Sequence, residues 1–421
     1  MESSLSESVQ QLVRPGKCVD VYYPDPQTAQ KQCIRTTQNT RYVQSFANLT
    51  GGSSVLTIPP ANGIQDILII MELPALAPGA AAGLGLSRGW GYAAIKTVSF
   101  RYGGSSQYFL SGQQLLQNAL RKCPNGSSRD DLLSLGGDAQ TAATLVAGPQ
   151  RAYVWLSLPH TIPSAEGKLP PLPSDLLTTQ IQITCELFPP SAIFSNLAEV
   201  GAAVPNAYSF AEFQVQQVQM ENRGDALAAR VDMTQNALSY PIEFSQQEVV
   251  IPLANAVGQS VSLTGFRSGE CKSISVWMTK DSDTAGAVKN PFKWYAPEDV
   301  TMTYAGEVYA RFDKGSGALW NLVNGRLSPG VQDLDLGSAA GVITITTPRI
   351  DKWLELPFSQ SFDPLTAHSF YMAGKSITNG IVNLTFNMPA ATPADTDYKL
   401  HVAYHYNAVL TFSQGTCEYV L

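Results

Sequence analysis

Short runs in which apolar and polar residues strictly alternate recur along this chain, and a period of two marks strands with one buried face. Val98, Phe100 and Tyr102 alternate with Thr97, Ser99 and Arg101. Ile181, Ile183, Cys185 and Leu187 alternate with Gln180, Gln182, Thr184 and Glu186, as Val382, Leu384, Phe386 and Met388 do with Asn383, Thr385 and Asn387. The longest run sets Val402, Tyr404, Tyr406, Ala408, Leu410 and Phe412 opposite His401, His405 and Asn407. A helical period would scatter these apolar positions around a cylinder. Helices are expected in a few short places. Ser111 caps a helix over 112–123, whose stripe Leu115, Leu116, Ala119 and Leu120 ends at Arg121-Lys122. Leu5, Val9, Leu12 and Val13 give residues 1–14 an amphipathic pattern, too short to stay folded without a docking surface. A further short helix is expected within 130–146.

The order of these features repeats at a spacing of about 200 residues. The strand from Ile95 to Tyr102 runs into Gly103-Gly104, and the one from Asp299 to Tyr304 runs into Ala305-Gly306. Trp155-Leu156-Ser157-Leu158-Pro159 is matched by Trp353-Leu354-Glu355-Leu356-Pro357, and Gln180 to Leu187 by Ile381 to Met388. The fold expected is therefore all-β: two tandem eight-stranded jelly rolls with short helical insertions. The expected divisions are an N-terminal arm over 1–14, a first roll over 15–208 and a second over 209–421. No Gly/Ser or Pro-rich linker separates the halves, so they should pack as a rigid pair. The Gly/Ala-rich stretch Pro78 to Gly91 is expected in a long loop at the ends of the sandwiches.

Composition narrows the function. The 421 residues are 44% hydrophobic and 14% charged, which excludes a disordered chain. Lys+Arg 27 against Asp+Glu 34 leaves a net charge of −7, with no cationic excess to neutralise a phosphate backbone. Sequence-independent DNA or RNA binding is therefore not expected, and sequence-specific nucleic-acid binding is not expected either. The polar, acidic start Met1-Glu2-Ser3-Ser4 lacks the pattern of a secretory leader, and the apolar stretch Ile67 to Leu86 is interrupted by Glu72, Pro74 and Pro78. Cys18, Cys33, Cys123, Cys185, Cys271 and Cys417 form no CxxC pair, so they are read as reduced thiols of an intracellular protein.

The search for chemistry returns no catalytic, cofactor-binding or metal-binding residues, and the chain is not expected to be an enzyme. Gly374-Lys375-Ser376 resembles the end of a phosphate loop, but the first glycine of that motif would fall on Ser369, and a strand follows instead of a helix. Gly83-x-Gly85-x-x-x-Gly89 has the wrong spacing for a dinucleotide loop and reads as flexible surface. His401 and His405 lie roughly 13 Å apart by strand rise, too far to share an ion, and read as exposed or hydrogen-bonded. His160 and His368 sit in Pro-containing loops with no nucleophile elbow, and Asp333-x-Asp335-x-Gly337 lacks the rest of a calcium loop. The sequons at Asn48, Asn125 and Asn383 are read as unused. Trp155, Trp277 and Trp353 read as sandwich core or inter-domain packing.

These features together resemble the double jelly-roll major capsid proteins of eukaryotic double-stranded DNA viruses: polinton-like viruses, virophages and their nucleocytoplasmic relatives. The first roll of that family is matched by Ile95 to Gly104, Tyr153 to Pro159, Leu169-Pro170-Pro171-Leu172-Pro173 and Gln180 to Leu187. The second is matched by Ser273 to Lys280 around Trp277, Val300 to Gly306, Asn383-Leu384-Thr385-Phe386 and the final strand Leu400 to Leu410. The resemblance implies a structural role: pseudo-hexagonal homotrimers tiling an icosahedral shell around a DNA genome. It implies as partners the chain itself, penton and minor capsid or cement proteins, and an internal membrane where one is present. No cofactor is implied, the location is the virion, and the arm over 1–14 is expected to dock on the inner side. The alternative is a two-domain jelly-roll protein that binds or processes glycans, which would place carboxylates and aromatics in a cleft between the rolls.

Overall fold

The computed structural model describes residues 40–61, 63–79, 83–103, 108–123, 126–156, 163–164, 167–168, 174–195, 204–218, 238–253, 258–264, 267, 270–281, 291–313, 334–338, 341–345, 353–358, 375–376, 382–388, 397–413 and 415–420. The arm over 1–14, Cys18, Cys33, His160, His368, the link Leu169 to Pro173, Asp333 and Gly374 lie outside them.

Among the described residues, sixteen strands form the main paths of two pairs of antiparallel sheets, joined in one sheet of the second pair by Val249–Pro252, Lys375–Ser376 and Thr416–Val420. In the first half they are β1 (Thr40–Ser45), β2 (Gly52–Thr57), β3 (Gly63–Leu73), β4 (Ile95–Arg101), β5 (Tyr108–Ser111), β6 (Gln150–Trp155), β7 (Gln182–Leu187) and β8 (Phe210–Val218). In the second they are β9 (Leu238–Ser245), β10 (Gln259–Leu263), β11 (Glu270–Lys280), β12 (Glu298–Tyr304), β13 (Glu307–Phe312), β14 (Leu354–Pro357), β15 (Val382–Asn387) and β16 (Tyr398–Ser413). The first half pairs them in the orders β1-β8-β3-β6 and β2-β7-β4-β5. The second half repeats both orders, as β9-β16-β11-β14 and β10-β15-β12-β13. This is the jelly-roll order, drawn twice. Two of the matched segments occupy equivalent places, β4 with β12 and β7 with β15; β6 and β14 also hold equivalent places, but Ser157 to Pro159 of the third matched segment lie outside the described residues.

The alternation explains the layers. Val382, Leu384 and Phe386 turn inward from β15 to meet Val300 and Met302 of β12 in one buried core, while Asn383 and Thr385 face out. In the first roll Ile183 and Cys185 of β7 pair with Phe100 and Val98 of β4 on the same buried face. β8 lies past the division expected at 208/209, yet it pairs with β1 and β3 in the middle of the first sheet. The sheets therefore divide between Val218 and Leu238.

Helices α1 (Trp90–Ala94), α2 (Gly112–Lys122), α3 (Gly126–Leu135) and α4 (Ala142–Ala147) are insertions of the first roll. Ser111 caps α2, its hydroxyl accepting from the Gln114 backbone N–H at 3.1 Å. Where a short helix is expected within 130–146 the structure has two, α3 and α4, separated from Gly136-Gly137 onward, where Gly137 has φ +109°. The glycine-rich stretch is a second correction. Within its described part Leu84, Leu86 and Trp90 are fully buried, and Gly85–Leu86 pairs with Gln140–Thr141 and Phe194–Ser195. Its glycines serve close packing: a Cβ on Gly91 would lie 2.8 Å from the Ala152 and Val154 side chains.

Candidate functional site at the seam between the halves

Helix α2 has two buried faces of opposite character. Leu115, Leu116, Ala119 and Leu120 belong to the apolar core, while Gln114, Gln117, Asn118 and Arg121, spaced to share the other face, are buried as well. The outward face of the second roll's sheet β9-β16-β11-β14 meets that polar face. Registers Ser245↔His405 and Ser273↔His405 set these three residues in one row, opposite in direction to the core residues Phe244, Tyr404 and Ile274. The pattern of β16 thus comes from a strand covered on both sides, since His401 and His405 are buried along with Val402 and Tyr404.

At the centre of the seam the Arg121 guanidinium forks between two carboxylates. It donates to Glu243 Oε1 at 2.7 Å and to Glu355 Oε1 at 2.8 Å. Lys272 Nζ donates to the other oxygen of Glu243 at 3.2 Å, and the Ser273 hydroxyl donates to Glu355 at 3.0 Å. The side chains of Arg121 and Glu355 are each 1% exposed, those of Lys272 and Glu243 2% and 7%. Two cations therefore balance two anions in a site closed to water, the condition under which buried charge is tolerated. Burial opposes the charge of Arg121, and the nearby Glu243 and Glu355 outweigh it, so its pKa lies above the ordinary value.

His405 completes the cluster as a neutral ring. Burial, with Arg121 beside it, pulls its pKa down to about 3. Arg121 lies 3.3 Å from Nδ1 and can only donate, so Nδ1 accepts and Nε2 carries the proton. Nε2 then donates to the Ser275 hydroxyl at 2.8 Å, and Ser245 donates to Nδ1 at 2.9 Å. His401, farther along β16, meets Thr279 Oγ1 at 2.8 Å and stacks on Trp277 with centroids 5.1 Å apart. Of the two readings of these histidines, the hydrogen-bonded one holds.

Further contacts extend the seam. The Gln114 side chain donates to the Gln246 carbonyl and accepts from the Glu248 N–H at 3.2 Å, and Gln113 donates to the Pro291 carbonyl at 3.1 Å. Elsewhere the Thr178 N–H and hydroxyl both reach the Gly415 carbonyl, at 2.9 and 3.0 Å. A cavity of about 260 Å³ opens at the edge of the seam, lined by Phe109 of β5 with Phe244, Gln246 to Val249 and Arg267.

This arrangement ties the halves together through paired charges. Glu243 and Glu355, the carboxylate pair between the rolls, are both held by cations with no access for a substrate. Among the described residues no group of His, Cys, Asp and Glu is placed to hold a metal, and no helix is long and apolar enough to cross a membrane. Cys123, Cys185, Cys271 and Cys417 are buried free thiols; burial pushes Cys123 up to about 11 and the other three higher, so none is a nucleophile at neutral pH. Lys375–Ser376 pairs with Glu270 and Cys271 as strand, in place of a phosphate loop, and Asp335 lies in the hairpin Leu334–Ser338 with Gly341–Ile345. Trp277 and Trp353 are buried, the latter edge-on to Trp294 at 5.6 Å, and Trp155 packs against the core. Sequence reasoning found the apolar stripe of α2 and missed its polar one. The signal was the i, i+3, i+4, i+7 spacing of Gln114, Gln117, Asn118 and Arg121.

No family model matches this sequence, and no curated protein does. Solved structures match along nearly its whole length. A chain of the PBCV-1 virus capsid has a TM-score of 0.63 at 12% identity, covering 93% of this chain and 99% of that one. A chain of the Sputnik virophage gives 0.58 at 11%, covering 93% and 89%. The mavirus major capsid protein gives 0.53 at 10%, covering 95% and 93%. At such identities the likeness is one of fold, and the fold of this chain is the double jelly roll of viral major capsid proteins.

Proposed function

We propose that the protein is the major capsid protein of a double-stranded DNA virus, assembling as pseudo-hexagonal homotrimers that tile an icosahedral shell. The observation that carries the reading is the repeated strand order, two rolls of one topology joined by a sealed ionic seam. Two similar rolls per chain and three chains per trimer give six near-equivalent faces, so lattice neighbours reuse one kind of contact. The end-to-end likeness to capsid chains adds support. We place the division between the rolls at 219–237, with the arm over 1–14 on the inner side. Partners on this reading are neighbouring trimers, penton and minor capsid or cement proteins, and a membrane where one lines the shell.

The glycan reading asks for an open cleft with free carboxylates, whereas Glu243 and Glu355 are saturated by Arg121 and Lys272. Negative-stain imaging of the purified full chain tests the proposal. Hexagonal outlines with six lobes are expected; isolated two-lobed particles that stay so under assembly conditions would overturn it.

A further inference from the structure

We propose that Lys272 and Glu243 join as an isopeptide, a self-formed covalent clasp between β11 and β9 across β16. The inference stands on the geometry of the seam and holds whether or not the chain builds a shell.

An irregularity in β11 delivers the lysine. Strict alternation would send Lys272 to the core side with Ile274 and Val276. The pairing with β16 slips instead between Cys271 and Ser273: Cys271 lies opposite Tyr406 and Ser273 opposite His405, with Lys272 the extra residue between them. Cys271 and Ile274 are core residues, so the bulge turns two consecutive side chains, Lys272 and Ser273, onto the polar face. Bulges re-aim a side chain in this way, often beside reactive sites. Glu243 of β9 faces the same side, because its neighbour Phe244 enters the core.

As an ion the lysine is poorly satisfied. An ammonium has three N–H groups to place. Among the described residues Lys272 Nζ has one hydrogen-bond partner, Glu243 Oε2 at 3.2 Å. The two side chains are 2% and 7% exposed. Unpartnered N–H groups on a buried cation are costly, whereas an amide keeps a single N–H and no charge. Charge still balances once the bond has formed, since Arg121 remains opposite Glu355.

The neighbours allow the chemistry. The Arg121 guanidinium donates to Glu243 Oε1 at 2.7 Å, the oxygen that Lys272 leaves to it. The ammonium passes one proton to Oε2 along its hydrogen bond, and the Nζ lone pair attacks Cδ. Negative charge gathers on Oε1, where Arg121 stabilises it. A second proton moves from Nζ to Oε2, the Cδ–Oε2 bond breaks, and that oxygen leaves as water. Ammonium plus carboxylate thus give amide plus water, with nothing oxidised, reduced or supplied from outside. Fixed contact in a closed site raises the effective concentration of the two groups and keeps water from reversing the bond.

The test is peptide mass spectrometry of the purified full-length chain, denatured, reduced and cut with trypsin. Trypsin cleaves after Lys and Arg, but not after a lysine whose amine is acylated. A linked chain yields residues 231–267 joined to 268–280 as one species, uncut at Lys272 and lighter by about 18 Da, one water, than its two parts. That species is expected from most chains, with fragment ions placing the bond between Glu243 and Lys272. Lys272→Arg keeps the positive charge and removes the nucleophile, so the loss of water should vanish there. Separate wild-type peptides ending at Arg267, Lys272 and Lys280 overturn the inference and leave the capsid reading standing. A loss of water that survives Lys272→Arg overturns it as well.

Discussion

Arg121 is the residue on which the union of the halves most depends. Its guanidinium serves Glu243 and Glu355 at once, in a site where both carboxylates are buried. Arg121→Ala should therefore cost about 3–5 kcal/mol, as loss of one member of a buried charge cluster does. Arg121→Lys should recover little, because one ammonium cannot span two carboxylates as a planar fork does. Urea denaturation of both variants against the wild type measures this. His405 gives a separate signature. Its pKa is near 3 in the fold and about 6.5 when unfolded, so between those values the unfolded chain holds the extra proton. Stability should fall as pH drops through that window, by up to about 1.4 kcal/mol per pH unit from this group alone. His405→Gln should flatten that part of the profile; stability curves from pH 7 to 4 for both proteins decide it.

Elements show where the sequence was legible and where it was not. Strict alternation exposed β4, β7, β15 and β16 because each buries at least one whole face. Helix α2 was placed correctly by its cap and apolar stripe, yet the burial of its polar stripe depends on a sheet that begins more than a hundred residues later. No local pattern distinguishes a polar face turned to water from one turned to buried partners. The stretch 83–91 misled in the opposite direction, since glycine that allows a flexible loop also allows tight packing. Gly112 makes the point testable. A Cβ there would lie 2.2 Å from the Tyr92 carbonyl oxygen and 2.3 Å from that of Ile95. Helix propensity favours alanine over glycine by up to about 1 kcal/mol. Gly112→Ala should nonetheless destabilise, by about 1–3 kcal/mol, because backbone must move to admit it. The β12–β13 hairpin offers the reverse case: Ala305 and Gly306 both have positive φ, at 52° and 87°, as a two-residue primed turn requires. Ala305→Asn should raise stability by about 0.5–1 kcal/mol, read as a higher melting temperature.

At the scale of the whole molecule the repeat was the legible part. The segments over β4 and β12 and over β7 and β15 are equivalent strands of two rolls, which is why one spacing of about 200 residues served both pairs. Where the sheets divide was less legible. The alternation of Ala211, Phe213 and Val215 marks a strand, but only pairing shows that β8 returns between β1 and β3 to finish the first roll. Two like rolls tied by buried ion pairs present repeated faces, and repeated faces suit closed, symmetric assembly. That claim is tested most directly by the solution mass of the purified full chain, measured by light scattering over a range of concentrations. A trimer of three 45.3 kDa chains, about 136 kDa, is expected. A mass of 45.3 kDa at every concentration, with the protein folded, would contradict it.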